Sequence, residues 1–105
     1  MTTYTVKITE SARNDMEKIY SYIAYDLLSP IAAMKQYNRI ADSISDLKTM
    51  PERHPLFESE PEHSRGIRKL VVDNYIVCYI VTTDEVIIIA VLYGASDISY
   101  KLQSR

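Results

Sequence analysis

Arg65, Arg68 and Lys69 lie close together with no acidic residue among them. Cations grouped in this way beside a scissile phosphate are one requirement for cutting RNA at a 2′-hydroxyl; a base and an acid are the others. Tyr93 or Tyr100 could supply a phenol for proton transfer. A phenol titrates near pH 10, so it serves as a base only where nearby cations lower that value. Arg68 and Lys69 are adjacent, and neighbouring residues of a strand point to opposite faces, so one of the two can line a given site. The alternative is that Arg65 to Lys69 is a solvated strand. Other chemistry is thinly supplied. His54 and His63 sit in an acidic loop, and Cys78 stands between Val77 and Tyr79. That spacing offers no clustered metal ligands and makes Cys78 a buried small hydrophobe. Two glycines exclude a Gly-rich phosphate loop and a dinucleotide fingerprint. No cofactor is implied.

The elements that must position these groups follow from hydropathy. Tyr4, Val6 and Ile8 alternate with polar residues and predict a first strand facing inward. Thr9 or Ser11 can cap the next helix. Ala12, Met16, Ile19, Ile23 and Leu27 recur at helical spacing and predict a helix over about 10–28; Tyr20 and Tyr22 widen its apolar surface or begin to expose it. Ser29-Pro30 restarts a helix, with Ser29 as cap and Pro30 at the first position. Ala33, Tyr37, Ile40, Ile44 and Leu47 carry it to about residue 48. The short link makes the two helices an antiparallel hairpin. Residues 51–64 hold three prolines and four glutamates and read as a loop pinned by Leu56 and Phe57. Ile67–Val72 and Tyr75–Val81 predict a hairpin turning at Asp73-Asn74. The unbroken apolar run Val86–Tyr93 belongs at the sheet centre. Asp97–Leu102 reads as a short helical turn or a loose tail.

The order β-α-α-β-β-β predicts one two-layer α+β domain over residues 1–105: an N-terminal strand and a helix hairpin packed on a curved antiparallel sheet. The chain has 105 residues, 12 Lys and Arg against 14 Asp and Glu, and a formal net charge of -2. That balance disfavours tight, sequence-blind nucleic-acid binding. A single cysteine, no signal-like N-terminus and no long apolar run suit a cytoplasmic protein. Nine tyrosines and no tryptophan are unusual. Most fit the core, and two or three suit an interface, because the ring buries area and keeps a polar tip.

Several stretches taken together resemble one family. They are Ala12…Asp15-Met16…Ile19…Tyr22-Ile23; Leu47…Met50-Pro51…Pro55; Arg68 to Val81; and Val86 to Leu92 followed by Tyr93-Gly94-Ala95-Ser96-Asp97. The family is the RelE/ParE superfamily of type II toxin–antitoxin toxins, of plasmid stabilisation type. The resemblance implies a small bacterial toxin that inhibits growth and is neutralised by a cognate antitoxin. RelE-like members cut mRNA in the ribosomal A site, whereas ParE-like members block DNA gyrase. RelE-like nucleases carry an arginine where this chain has Ile76 and another where it has Ser96. The ending Tyr93-Gly94-Ala95-Ser96-Asp97 looks more like the His-Gly-x-Arg-Asp of ParE-like sequences, with His and Arg replaced. The resemblance thus implies a ParE-like toxin whose target or antitoxin interface includes Arg65, Arg68, Tyr93, Ser96, Asp97 and the apolar edges of the helix hairpin. One alternative it implies is a ribosome-dependent mRNA endonuclease using Arg68, Lys69 and Tyr100. Another is a degenerate, non-toxic homologue that only binds antitoxin.

Overall fold

The computed structural model describes residues 2–105. Strand β1 (Thr5–Ile8) runs into helix α1 (Glu10–Ser21). Thr9 joins them. Its Oγ1 accepts from the Ala12 N–H at 3.2 Å and donates to the Ile88 carbonyl at 2.9 Å, so one hydroxyl caps the helix and ties it to the sheet. The predicted continuation of α1 to residue 28 is corrected. A π-helical turn, Tyr22–Asp26, follows, with the Leu27 N–H donating to the Tyr22 carbonyl five residues back at 3.1 Å. The wider turn rotates the apolar face. Ala24 becomes buried, and Leu27, expected inside, is exposed. Leu28 adopts a left-handed conformation at φ 53°.

Helix α2 (Pro30–Ser45) starts with Pro30 in its first turn as expected, but the Ser29 side chain makes no capping bond. Ala33, Ile40 and Ile44 are its buried face, and short 3₁₀ turns at Asp46–Lys48 and Pro51–Arg53 lead on. Strands β2 (Ile67–Val72), β3 (Tyr75–Val81) and β4 (Glu85–Tyr93) and helix α3 (Ile98–Leu102) complete the chain. No helix among the described residues is long and apolar enough to cross a membrane.

The sheet order is β1-β4-β3-β2, which puts β4 inside as its apolar run predicts. Strands β2, β3 and β4 are antiparallel neighbours. The N-terminal strand β1, whose direction the sequence leaves open, joins this antiparallel meander in parallel, pairing with β4 from Thr5↔Glu85 to Ile8↔Ile88. The topology requires this. Helix α1 continues the direction of β1, α2 reverses it, and three further reversals bring β4 back to it.

A bulge explains the eight-residue apolar run. Cys78 pairs with Ala90 and Tyr79 with Ile88, leaving Ile89 as the extra residue. Val86, Ile88 and Val91 pack on the helix side with Met16, Ile40 and Tyr79. Ile89, Ala90 and Leu92 pack on the other side with Phe57, Ile67, Cys78 and Leu102. The second face is therefore covered, by Phe57 and by the apolar residues of α3. A strand buried on both faces needs apolar residues at every position.

Strand β1 covers only the first half of β4. Beyond it, side chains replace a neighbouring strand. The Val91 N–H donates to Asp15 Oδ2 at 3.0 Å, and the Ile89 carbonyl accepts from Arg105 Nη1 at 3.0 Å. Arg105 closes the arrangement with two bonds to the Asp15 carboxylate, at 2.6 and 2.9 Å. Both side chains are largely buried. Removing one partner strands a buried charge and an edge amide. Asp15→Ala should lower stability by about 3 kcal/mol, and the double variant with Arg105→Ala by clearly less than the sum of the singles. Urea denaturation of all three variants checks this.

Candidate functional site

The three cations expected near a phosphate are each engaged within the fold. Arg65, just before β2, donates to the Leu102 carbonyl at 2.9 Å and to the Arg105 carbonyl at 2.8 Å. The Leu102 carbonyl ends α3 and also accepts from the Arg105 N–H at 3.1 Å, so Arg65 adds a second bond there and ties the helix end to the start of β2. Arg68 lies opposite Tyr79 on the helix side of the sheet. It donates to the carbonyls of His54 at 2.7 Å and Glu52 at 3.2 Å, with the Glu52 carboxylate 3.5 Å away. Lys69 takes the opposite face, as adjacent strand positions must, and its ammonium lies 5.4 Å from the centroid of the Phe57 ring. Tyr100 is on α3, exposed, and lines a hollow with Lys18 and Lys101. Arg68, Lys69 and Tyr100 do not share one surface. Ser96 closes a turn, its hydroxyl and N–H both donating to the Tyr93 carbonyl, at 2.5 and 3.0 Å. Asp97 caps α3 by accepting from the Tyr100 N–H at 3.2 Å.

The acidic loop holds one buried carboxylate, Glu62. Glu62 accepts from Ser59 Oγ at 2.9 Å and Ser99 Oγ at 2.8 Å. The hydrogen bond from Ser99, with that from Ser59, holds its pKa below the usual glutamate value against the opposing effect of burial. Glu62 and Arg65 together fasten α3 to the loop. Proximity in the sequence gives no sign of this, because Ser99 and Leu102 are more than thirty residues away. Burial pushes the Cys78 thiol up to about 12, so it carries no thiolate chemistry. Burial also raises the Tyr79 phenol to about 12; its hydroxyl donates to the Pro51 carbonyl at 2.5 Å and anchors the start of the loop.

The surface left open lies at the far end of the sheet. Gln36 and Arg39 of α2 bind Asp73 in the β2–β3 turn, Arg39 through two bonds of 2.7 and 2.8 Å. The part of α2 before Gln36, from Pro30, runs on past this turn, about 9 Å of helix at 1.5 Å per residue. This overhang, with the π-helical turn and link that precede it, carries Tyr22, Tyr25, Leu27, Leu28, Ile31 and Met34, all exposed, with Leu28 83% and Ile31 72% accessible. Between the overhang and the sheet lies a cleft of about 570 Å³, lined among others by Tyr22, Leu27, Tyr75, Tyr93, Lys18 and Lys101. Tyr75 and Tyr93 meet edge to face at 6.0 Å. Of the residues expected at an interface, Tyr93 falls here. Lys18, Tyr22, Tyr75 and Lys101 are the ones sequence reasoning did not nominate. The exposure of Leu27 follows from the π-helical turn, which helical periodicity does not reveal.

A two-helix hairpin on a four-stranded sheet closed by a parallel N-terminal strand defines a small α+β domain of the RelE/ParE type. The family model of the ParE toxin of the type II toxin–antitoxin system parDE matches residues 6–98, so the chain belongs to the ParE toxin family. Among solved structures it is similar to the chromosomal ParDE toxin–antitoxin system from P. aeruginosa. The TM-score is 0.72 at 22% identity, over 87% of this chain and 96% of that one. It is also similar to the RelBE2 toxin–antitoxin complex from Mycobacterium tuberculosis, with a TM-score of 0.63 at 21% identity, over 87% and 98% of the two chains. No curated protein matches it.

Two outcomes follow from the internal use of these groups. Hydrogen bonds from a charged group contribute about 1.5–3 kcal/mol. Arg65→Ala should therefore speed amide exchange across residues 98–105 by about 10- to 100-fold and leave residues 49–54 unchanged, and Arg68→Ala should do the reverse. Glu62 has a folded pKa below its unfolded one, so its contribution is complete at neutral pH and is lost as pH falls through the folded value. Between about pH 6 and about pH 3 the wild-type melting temperature should drop more than that of Glu62→Gln.

Proposed function

We propose that this chain is the toxin of a toxin–antitoxin pair, that it engages its antitoxin through the overhanging hairpin and the adjoining tyrosine cleft, and that it acts on DNA gyrase by binding rather than by cutting RNA. One observation carries the reading. Of the clustered cations nominated for phosphate chemistry, Arg65 and Arg68 bind the protein's own carbonyls and Lys69 lies on Phe57, while large apolar side chains stand uncovered at one end of the fold. Exposed apolar surface that is continuous over a helix hairpin marks a protein-binding site. Leu28 strengthens the case, because a bulky residue is held in a left-handed conformation with its side chain in solvent. Such strain is kept where a surface has a task. The solved structures similar to this chain come from toxin–antitoxin systems, which supports an antitoxin as the partner.

The apolar surface buried by a partner here would include Leu28 and Ile31, and burying a leucine or isoleucine contributes about 1.5–3 kcal/mol. Leu28→Asp should weaken antitoxin binding by at least about tenfold while leaving the melting temperature within a few degrees of wild type. Isothermal titration with the product of the adjacent reading frame measures it. The target is tested by running a gyrase supercoiling assay beside a translating extract. Inhibited supercoiling with intact mRNA is expected. Efficient mRNA cleavage that is lost in Arg68→Ala would overturn the protein-binding reading in favour of the endonuclease. Inactivity in both assays with antitoxin binding retained would favour a non-toxic homologue.

A further inference from the structure

Resting on the toxin–antitoxin reading, we propose that the cleft between α1, the ends of β3 and β4, and α3 seats an acidic segment of the antitoxin. A carboxylate of that segment sits between Lys18 and Lys101, and a neighbouring apolar side chain packs on Tyr22, Leu27 and Tyr75.

The argument starts from where the protein's positive charge goes. The chain has twelve Lys and Arg residues. Lys7, Arg39, Arg68 and Arg105 face carboxylates. Arg53 and Arg65 donate to backbone carbonyls, and Lys69 lies on Phe57. Arg13, Lys18, Lys35, Lys48 and Lys101 make none of these contacts among the described residues. Lys18, from the last turn of α1, and Lys101, from α3, border the same cleft. The carboxylate beside them is Asp15, and Arg105 already neutralises it. Glu17 and Asp26 line an adjoining hollow that shares Lys18 and Tyr22 with the cleft, and neither lines the cleft itself. The cleft margin is thus locally positive on a protein whose net charge is -2.

The walls set the rest of the ligand. Tyr75 is half-buried and its ring meets Tyr93 edge to face. Tyr22 and Leu27 come from the overhang, so the cleft continues the exposed apolar surface onto the sheet. An acidic, apolar-anchored peptide matches this combination, since opposite charge steers encounter and aromatic walls supply contact area. Two lysines are few for a polyphosphate chain, whose binding grows with the number of phosphates neutralised.

The test measures binding of the adjacent reading frame's product to wild type, to Lys18→Gln/Lys101→Gln, to Lys18→Glu/Lys101→Glu and to Lys48→Glu, at low and high salt. The expected losses are about tenfold for the glutamine pair and about a hundredfold for the glutamate pair, with a flattened salt dependence in both. Lys48→Glu should bind like wild type. The glutamine pair keeps the test valid should the charge reversal disturb α3. Unchanged affinity in both pairs, with Leu28→Asp still impaired, would overturn the cleft proposal and leave the toxin–antitoxin reading standing. An RNA oligonucleotide whose binding is lost in the glutamine pair, while antitoxin binding is not, would assign the cleft to nucleic acid. No binding by wild type would remove both readings.

Discussion

Strand β4 is nine residues long, and its parallel neighbour β1 pairs with only its first four. The outward groups of the second half lie in a largely buried place, and an unmade hydrogen bond there costs about 1–3 kcal/mol. The chain answers with a carboxylate from α1 and a guanidinium from the tail, which bind the strand and each other. Much else depends on this substitution. It fixes α1 along β4. It brings residues 103–105 around the strand edge. It also leaves the end of the sheet free of a covering strand, so the cleft beside Tyr75 and Tyr93 can exist.

The basic stretch and the acidic loop acquire meaning together. They bind one another's neighbourhoods rather than opposing partners in solution. Arg68 gathers the loop start through the carbonyls of Glu52 and His54, and Lys69 rests on Phe57 from the same loop. Arg65 and Glu62 hold α3 from below. Leu102 and Phe57 then close the second face of the sheet. A charge pattern that suggests a phosphate site in one dimension is, in three, the fastening of a loop and a tail.

Much of the architecture was legible in the residues. Alternation at Tyr4, Val6 and Ile8, the helical spacings, and the restart at Pro30 located the elements, and the apolar run at Val86–Tyr93 placed β4 inside. The opposite faces of Arg68 and Lys69 also followed from strand geometry alone. Three things were not legible, for distinct reasons. A π-helical turn changes the period by one residue and leaves no composition mark, so Leu27 read as core. The direction of β1 depends on counting chain reversals, not on its own sequence. The partners of Asp15, Glu62 and Arg65 lie far along the chain, so their contacts belong to the folded topology. For the cleft, Tyr93 was within reach of sequence reasoning. Lys18 and Lys101 were not, because nothing in either helix shows that the two will line one cleft.

The pairing of residues 5–8 with 85–88 also bears on how the chain is made. Closing a loop of that span gains nothing until its last strand is present, whereas the helix hairpin and the β2–β3 hairpin rest on local contacts. During synthesis β1 has no strand partner until residues 85–88 have been made. The Asp15–Arg105 bond, which joins the first helix to the tail, forms later still. The surface is therefore incomplete in any partial chain that lacks β4 or Arg105, and a nascent chain shorter than that presents only its pieces.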